Sequence, residues 1–463
     1  MLINDAKLAR ETKGGTVLQL SDRHTEGHWR TCVEPIGFVA LFLLLSGCAS
    51  FGRGVTEAIL NAQADDAEDA RSCIVDGEAF TGIASVLEAQ ASDPVAAGNP
   101  DRATTKLVYV HGIGDHLPGH GGDLIRSLTN SLDLSVRAGL TKRIVLTAPD
   151  EPERPYGEVN VVRLTDTERR RELLFYELTW NPITLEEKAA IDFDKAVIYS
   201  SQRAEINNQL RQFTNSVLPD PLAFIGNRGA DIRGSVGQAL CWALSARWQD
   251  LDALTQGVTC ENSSTYGKRA ATDELFIVTH SLGSRAAVDA LQNAARHLNA
   301  SQGLEDQAAR FAKDLWDKRI TLFMLSNQLP LLEAGQPDQE VTGSRGEYCG
   351  VNAPRAQGRF LKELNMVAFT DPNDIMSYPV PIAWANQYLD SRLCVNVRNV
   401  TINIAHVRRL PVIGEYANPL VAHSNYDKDQ RVAELMAFGI GHSGISELVR
   451  ERCSWVEVDP SLN

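Results

Sequence analysis

The residues with the clearest capacity for chemistry are Thr279-His280-Ser281-Leu282-Gly283, set between an apolar run Glu274–Thr279 and a helical pattern Ser284–Leu298. A serine on a tight strand-to-helix turn projects its hydroxyl above the sheet edge, where it can act as a nucleophile. The helix that follows offers unpaired amides and its positive dipole end to developing negative charge. Such a turn is cramped and needs small residues two positions either side of the serine. Gly283 meets that need, whereas Thr279 meets it only partly and departs from G-x-S-x-G. Taken alone, the pentapeptide is equally an ordinary turn in which Ser281 caps the helix.

A nucleophilic serine also needs a base and an acid. At the end of the strand-like run Asn365–Thr370 stand Asp371 and Asp374. Beyond them come His406, His423 and His442. His406 ends a strand and reads as a core residue, and His442 lies in a Gly-rich turn. His423 is expected in a loop just before a predicted helix at Asp427–Gly439. An imidazole with a pKa near neutrality suits proton transfer.

With His111-Gly112-Ile113-Gly114 after the strand Lys106–Val110, these residues resemble the α/β-hydrolase superfamily, in its lipase/esterase-like branch, over roughly residues 104–442. The resemblance implies a Ser, Asp/Glu, His order with Ser281, Asp374 and His423 in those roles. Asp374, followed by Ile375, fits the family's acid better than Asp371, which precedes Pro372 and suits a turn cap; both stay open here. It also implies an oxyanion hole from the amides of Ile113 and Leu282. His111, Gly112 and Gly114 would shape that loop, and Thr279, His280 and Gly283 the elbow. The activity implied is ester hydrolysis through an acyl-enzyme on Ser281, acting on a small-molecule or lipid ester with no cofactor. A non-catalytic binding module on the same fold, an acyltransferase and a thioesterase remain alternatives, because fold does not dictate the acceptor.

The elements that must position these groups alternate strand and helix. Strands are expected at Lys106–Val110, Arg143–Thr147, Gly157–Leu164, Glu172–Trp180, Glu274–Thr279, Ile320–Leu325, Asn365–Thr370 and Val397–Ile404. Several are apolar throughout, as buried parallel strands should be. Helices are expected at Gly122–Ala138, Lys188–Phe213, Ile232–Trp248, Ser284–Leu298 and Gln307–Trp316, with Asp427–Gly439 closing the chain. The class is α/β, a doubly wound and mostly parallel sheet with a β-hairpin excursion. Residues 104–180 and 271–463 form its core. Ninety residues between two sheet strands is too long for a loop, so 181–270 reads as a helical cap. Trp180 and Asn181-Pro182 would mark the mouth of that cap, and His116 and His120 read as loop residues rather than metal ligands.

Ahead of the core, Ile36–Leu45 is a ten-residue apolar run, short of the roughly 20 needed to span a bilayer. Leu45-Ser46-Gly47-Cys48 follows it and resembles the lipobox of bacterial lipoproteins. That implies 1–47 as a signal peptide with an upstream extension, lipid on Cys48, and a cell-envelope address. Ala49 in place of Asp implies the outer membrane. Five Lys/Arg against five Asp/Glu before Cys48 make an unusual leader, so a start downstream of Met1 or a long n-region is expected. Residues 48–103 read as a tether and packing helix without strands.

Eight cysteines are present, and six remain once Cys32 and Cys48 are set aside. An even number in an exported chain permits three disulfides; proximity in sequence favours Cys241–Cys260 and Cys349–Cys394. No C-x-x-C occurs, which argues against structural zinc. The net charge of −14 argues against nucleic acid and against gripping anionic lipid by charge alone.

Overall fold

The computed structural model describes residues 71–456 except 94–98, 100–101, 150, 152, 301–306, 335–342, 351, 411–413 and 442–444. The leader, Cys48 and His442 therefore lie outside the described residues.

The chain enters on β1 (Cys73–Asp76) and α1 (Ile83–Ser92), then runs through β2 (Thr105–Val110) and α2 (Gly122–Leu132). β3 (Ser135–Thr147), β4 (Pro155–Thr165) and β5 (Glu172–Thr179) follow. A helical stretch holds α3 (Leu185–Ala189), α4 (Glu205–Val217), α5 (Pro219–Ile225) and α6 (Gly229–Ser245). The second half carries β6 (Glu274–His280), α7 (Leu282–Ala300), α8 (Gln307–Trp316), β7 (Arg319–Leu325), β8 (Glu363–Thr370) and β9 (Val395–Ile402). It finishes with α9 (Pro419–Ser424), α10 (Gln430–Phe438), a helix at Glu447–Arg452 and β10 (Cys453–Val456).

The described strands build an eleven-stranded sheet in the order β10-β1-β9-β8-β7-β6-β2-β5-β4-β3, with Leu254–Thr255 at the far edge. The six from β9 to β5 are parallel, whereas β4 pairs antiparallel with both β5 and β3. Every residue of β2 is buried, because helices cover both faces of the sheet. On one side α6, α7 and α8 close a core around Ile277, Leu322 and Met366; on the other, α1, α2 and α10 close one around Val278, Phe323 and Phe369. α2 illustrates the cause: Leu124, Leu128 and Leu132 recur every fourth residue and form one buried stripe. The class is thus α/β with a mostly parallel central sheet and helices on both faces.

Several expectations are corrected. The helix predicted at Gly122–Ala138 stops at Leu132, where Asp133 turns left-handed at φ 50°, and Ser135 already belongs to a strand. The segment before residue 104, expected to lack strands, supplies β1 at the sheet edge. That strand pairs antiparallel with β9 and parallel with β10, so α10 does not close the chain either. Within 181–270, α6 is a core helix packed under the sheet, with Ile232, Val236 and Ala239 buried. The predicted single helix Lys188–Phe213 is broken into short pieces, with Ala196 and Ala204 in extended conformation between them. Disulfides join Cys241–Cys260, Cys349–Cys394 and, across 380 residues, Cys73–Cys453.

Candidate active site

Parallel strands aligned in one sense bring the ends of β2, β6, β7, β8 and β9 to one rim, and the candidate residues gather there. Ser281 leaves β6 at φ 54°, a left-handed conformation that costs a non-glycine residue roughly 1–2 kcal/mol. Its amide donates to the carbonyl of Leu325 on neighbouring β7 at 2.9 Å, which holds the turn. Gly283 explains itself: a Cβ there would stand 2.5 Å from the carbonyl oxygen of Val110 and 2.6 Å from that of His111. Thr279 is fully buried, and its hydroxyl lies 2.9 Å from that of Ser284 in the first turn of α7. The hydroxyl pair is how this turn accepts a threonine where a smaller residue was expected.

Oγ of Ser281 stands 3.1 Å from Nε2 of His423. Nδ1 of the same ring lies 3.0 Å from both carboxylate oxygens of Asp374. His423 sits on α9, a short helix capped by Asn418, rather than in the loop expected from the sequence. Asp374 is buried and accepts further hydrogen bonds from the hydroxyl of Ser326 at 2.6 Å and the amide of Met376 at 3.0 Å. Burial pushes its pKa up, but the bond and charge of His423, with those from Ser326 and Met376, hold it below the ordinary carboxylate value. It is the anionic partner an imidazolium needs. Asp371 faces away: it accepts from the amides of Ile404 and Ala405 at 2.7 and 2.9 Å and ties the end of β8 to the end of β9. The structure thus brings Asp374 to His423 and leaves Asp371 as a strand-end clamp. His406 is exposed.

The loop after β2 lies against the serine. A Cβ on Gly112 would come within 2.6 Å of Cβ of Ser281, so only glycine lets the 112–113 peptide approach. The amide of Leu282 is the first of α7, and the first four amides of a helix have no intrahelical acceptor. His111 is fixed rather than catalytic. Its Nδ1–H donates to the carbonyl of Gly112 at 2.8 Å, and its Nε2 accepts the amide of Trp180 at 3.1 Å. The Trp180 indole stacks on it at 4.6 Å and donates to its carbonyl at 3.1 Å, so Trp180 is a buried brace and not the rim of a mouth. Burial, then the neighbouring His116 and His120, pushes His111 well below the usual histidine range. His116 is likewise pushed down to about 4, chiefly by burial.

Ser326, Asp220 and Lys188 escaped the sequence reading, and His280, expected only as part of the elbow, has a further contact. Ser326 ends β7 at φ 52°, beside Ser281 at the rim, and its Oγ lies 2.7 Å from Nδ1 of His423. His280 donates from Nε2 to the carbonyl of His423 at 2.8 Å, and burial holds its pKa down at about 3. Asp220, fully buried on α5, accepts the amide of Gly114 at 2.7 Å and the hydroxyl of Thr184 at 2.7 Å. Lys188 of α3 lies 3.0 Å from the same carboxylate and also reaches Asp115 at 2.9 Å. The only available signal for the three missed residues was a serine closing a strand pattern, for Ser326; Asp220 and Lys188 become neighbours of the site through folding alone.

This arrangement can move a proton from a serine hydroxyl to an imidazole whose charge an ionised carboxylate offsets. Among the described residues, no group of three His, Cys, Asp or Glu side chains is placed to hold a metal ion. Comparison with known protein families, with curated proteins and with solved structures finds no match to this chain.

Proposed function

We propose that this chain is a serine hydrolase of α/β-hydrolase type that cleaves carboxylic esters through an acyl-enzyme on Ser281. The observation that carries the reading is the continuous chain from Oγ of Ser281 through both ring nitrogens of His423 to the carboxylate of Asp374. The order of the three along the sequence, each following the end of a parallel strand, supports the fold type.

In the proposed reaction Nε2 of His423 takes the proton as Oγ of Ser281 attacks the ester carbonyl carbon, and the carbonyl electron pair moves onto oxygen. The amides of Ile113 and Leu282 receive that oxyanion. Collapse expels the alcohol, which takes the proton back from His423. A water molecule then repeats the sequence on the acyl-enzyme and releases the acid. Asp374 stays ionised and orients the ring. Ser281 has no solvent-exposed surface, so the covering residues must shift for substrate to enter.

An acylated substrate is favoured by exposed apolar side chains on the segment that braces the oxyanion loop: Phe193, Val197, Ile198 and Leu222 are each more than half exposed, with Leu117 on the loop itself. The lipobox-like Leu45–Cys48 supports a lipid-anchored activity at the cell envelope, and Ala49 in place of Asp favours the outer membrane. Transfer to an acceptor other than water uses the same machinery, and the products of an ester assay distinguish the two.

The test is labelling with a fluorophosphonate followed by an ester-length panel. A stable adduct on Ser281, absent in Ser281→Ala, is the expected result. Absence of any adduct on the folded protein leaves a binding module as the better reading.

A further inference from the structure

A cavity of about 520 Å³ lies between α6, α7 and α8 on one face of the sheet and extends to the strand ends remote from Ser281. Leu275 lines it at the start of β6, six residues before the serine, which along a strand is roughly 20 Å. Its volume falls within the range of small-molecule sites. The floor is apolar, made by Leu275, Leu291, Leu315, Ile320 and Phe360.

Two features distinguish it from a packing fault. The first is Gly237, in the interior of α6, where an added Cβ would meet nothing within 4 Å. A glycine inside a helix costs about 0.5–1 kcal/mol relative to alanine. Its neighbour Gly234 has a packing reason, since a Cβ there would press on the ring of Tyr156 at 2.7 Å. Gly237 has none, and what it preserves is open volume. The second feature is Arg233, a partly buried guanidinium on the cavity wall. The nearby carboxylate of Asp289 stands 3.9 Å away and is shared with Arg285, which it meets at 2.9 Å and which Glu333 also pairs; Glu261, also on the lining, accepts from the side-chain amide of Gln238 at 3.1 Å. Arg285 and Arg296 add positive potential around Arg233. The wall is held by the Cys241–Cys260 disulfide, whose Cys241 also faces the space.

A mostly apolar cavity whose wall carries Arg233, with its paired carboxylate no nearer than 3.9 Å, fits a single ligand chemistry. We infer that it binds a single-chain carboxylate of the fatty-acid type, the chain along the leucine floor and the head group on Arg233. The site is separate from the proposed ester hydrolysis and does not depend on it.

Titration calorimetry of the full chain with decanoate, below its micellar range, is expected to give one saturable site. Gly237→Leu on one wall and Ala294→Leu on the other should each weaken it about tenfold or more, with thermal melts confirming that both fold. Arg233→Met should weaken decanoate about tenfold while changing decan-1-ol by less than about twofold, because a charge-assisted hydrogen bond is lost only to the acid. Labelling of Ser281 by a fluorophosphonate should proceed at the parent rate in all three. No saturable binding by the parent, or parent-like affinity in both wall variants, overturns the site. Equal losses for acid and alcohol overturn the head-group assignment. If Ser281 is never labelled yet decanoate binds as described, the hydrolase reading fails and this one stands.

Discussion

Two aspartates three positions apart have opposite duties, and the difference lies in what each oxygen touches. Asp374 spends its carboxylate on His423, Ser326 and Met376, whereas Asp371 spends one oxygen on two strand-end amides. Asp374→Asn should therefore lower kcat for the proposed ester hydrolysis by about 10³–10⁴-fold, since the imidazole loses its orienting anion. Asp371→Asn should leave kcat per folded molecule within a few-fold and cost about 1–3 kcal/mol of stability through unsatisfied amides. Steady-state kinetics beside urea melts separates the two; the reverse pattern would reassign the acid. Ser326→Ala removes a charge-assisted hydrogen bond worth about 1.5–3 kcal/mol, and a kcat loss of about tenfold with KM unchanged is expected. Ser326 was not legible as a partner because its neighbours lie 48 and 97 residues away.

At the scale of elements, the turn between β6 and α7 shows how a departure from a motif is absorbed. Thr279 fits because Ser284, one turn into the helix, supplies a hydroxyl for its own. Restoring glycine by Thr279→Gly should accordingly destabilise the protein by about 1–2 kcal/mol rather than improve the turn, through a lost hydrogen bond and added chain entropy. Gly283→Ala, by contrast, drives a methyl group into the end of β2 and should cost about 1–3 kcal/mol while slowing labelling of Ser281. Melting curves of the two variants, read beside fluorophosphonate kinetics, check both. The stretch 181–270 was readable as mostly helical, but α3 and α5 were not read as separate elements. That Asp220 and Lys188 reach back to Gly114 was not legible either, because a buried ion pair leaves no periodic trace in sequence.

Across the whole molecule, buried neutral histidines set the response to acid. His280 titrates at about 3, and His111 well below the ordinary value. Their folded pKa values lie under those of the unfolded chain, so protons bind the unfolded state first as pH falls. No penalty exists above about pH 6.5; below it each such histidine subtracts about 1.4 kcal/mol per pH unit until its folded pKa is reached. Thermal midpoints should fall steadily from pH 6.5 toward 4, and His280→Gln should flatten that slope. A flat profile over this window would contradict the neutral assignment. Asp374 acts on a lower window: its depressed pKa contributes stability above about pH 4, which is lost as pH falls further. The Cys73–Cys453 bridge closes nearly the whole described chain, and replacing both cysteines by serine should cost about 3–5 kcal/mol.

The amino-acid sequence by itself determined the alternation of strand and helix, because buried parallel strands and amphipathic helices each leave a periodic pattern. It also pointed to Ser281, His423 and the pair Asp371 and Asp374, since strand ends are where chemistry collects on such a sheet. Only the tertiary structure decided which aspartate faces the imidazole, that β1 and β10 complete the edge beyond β9, and that α6 belongs to the core. Those facts depend on pairings between residues tens to hundreds of positions apart. Local pattern carries no record of a partner that distant, and packing alone selects it.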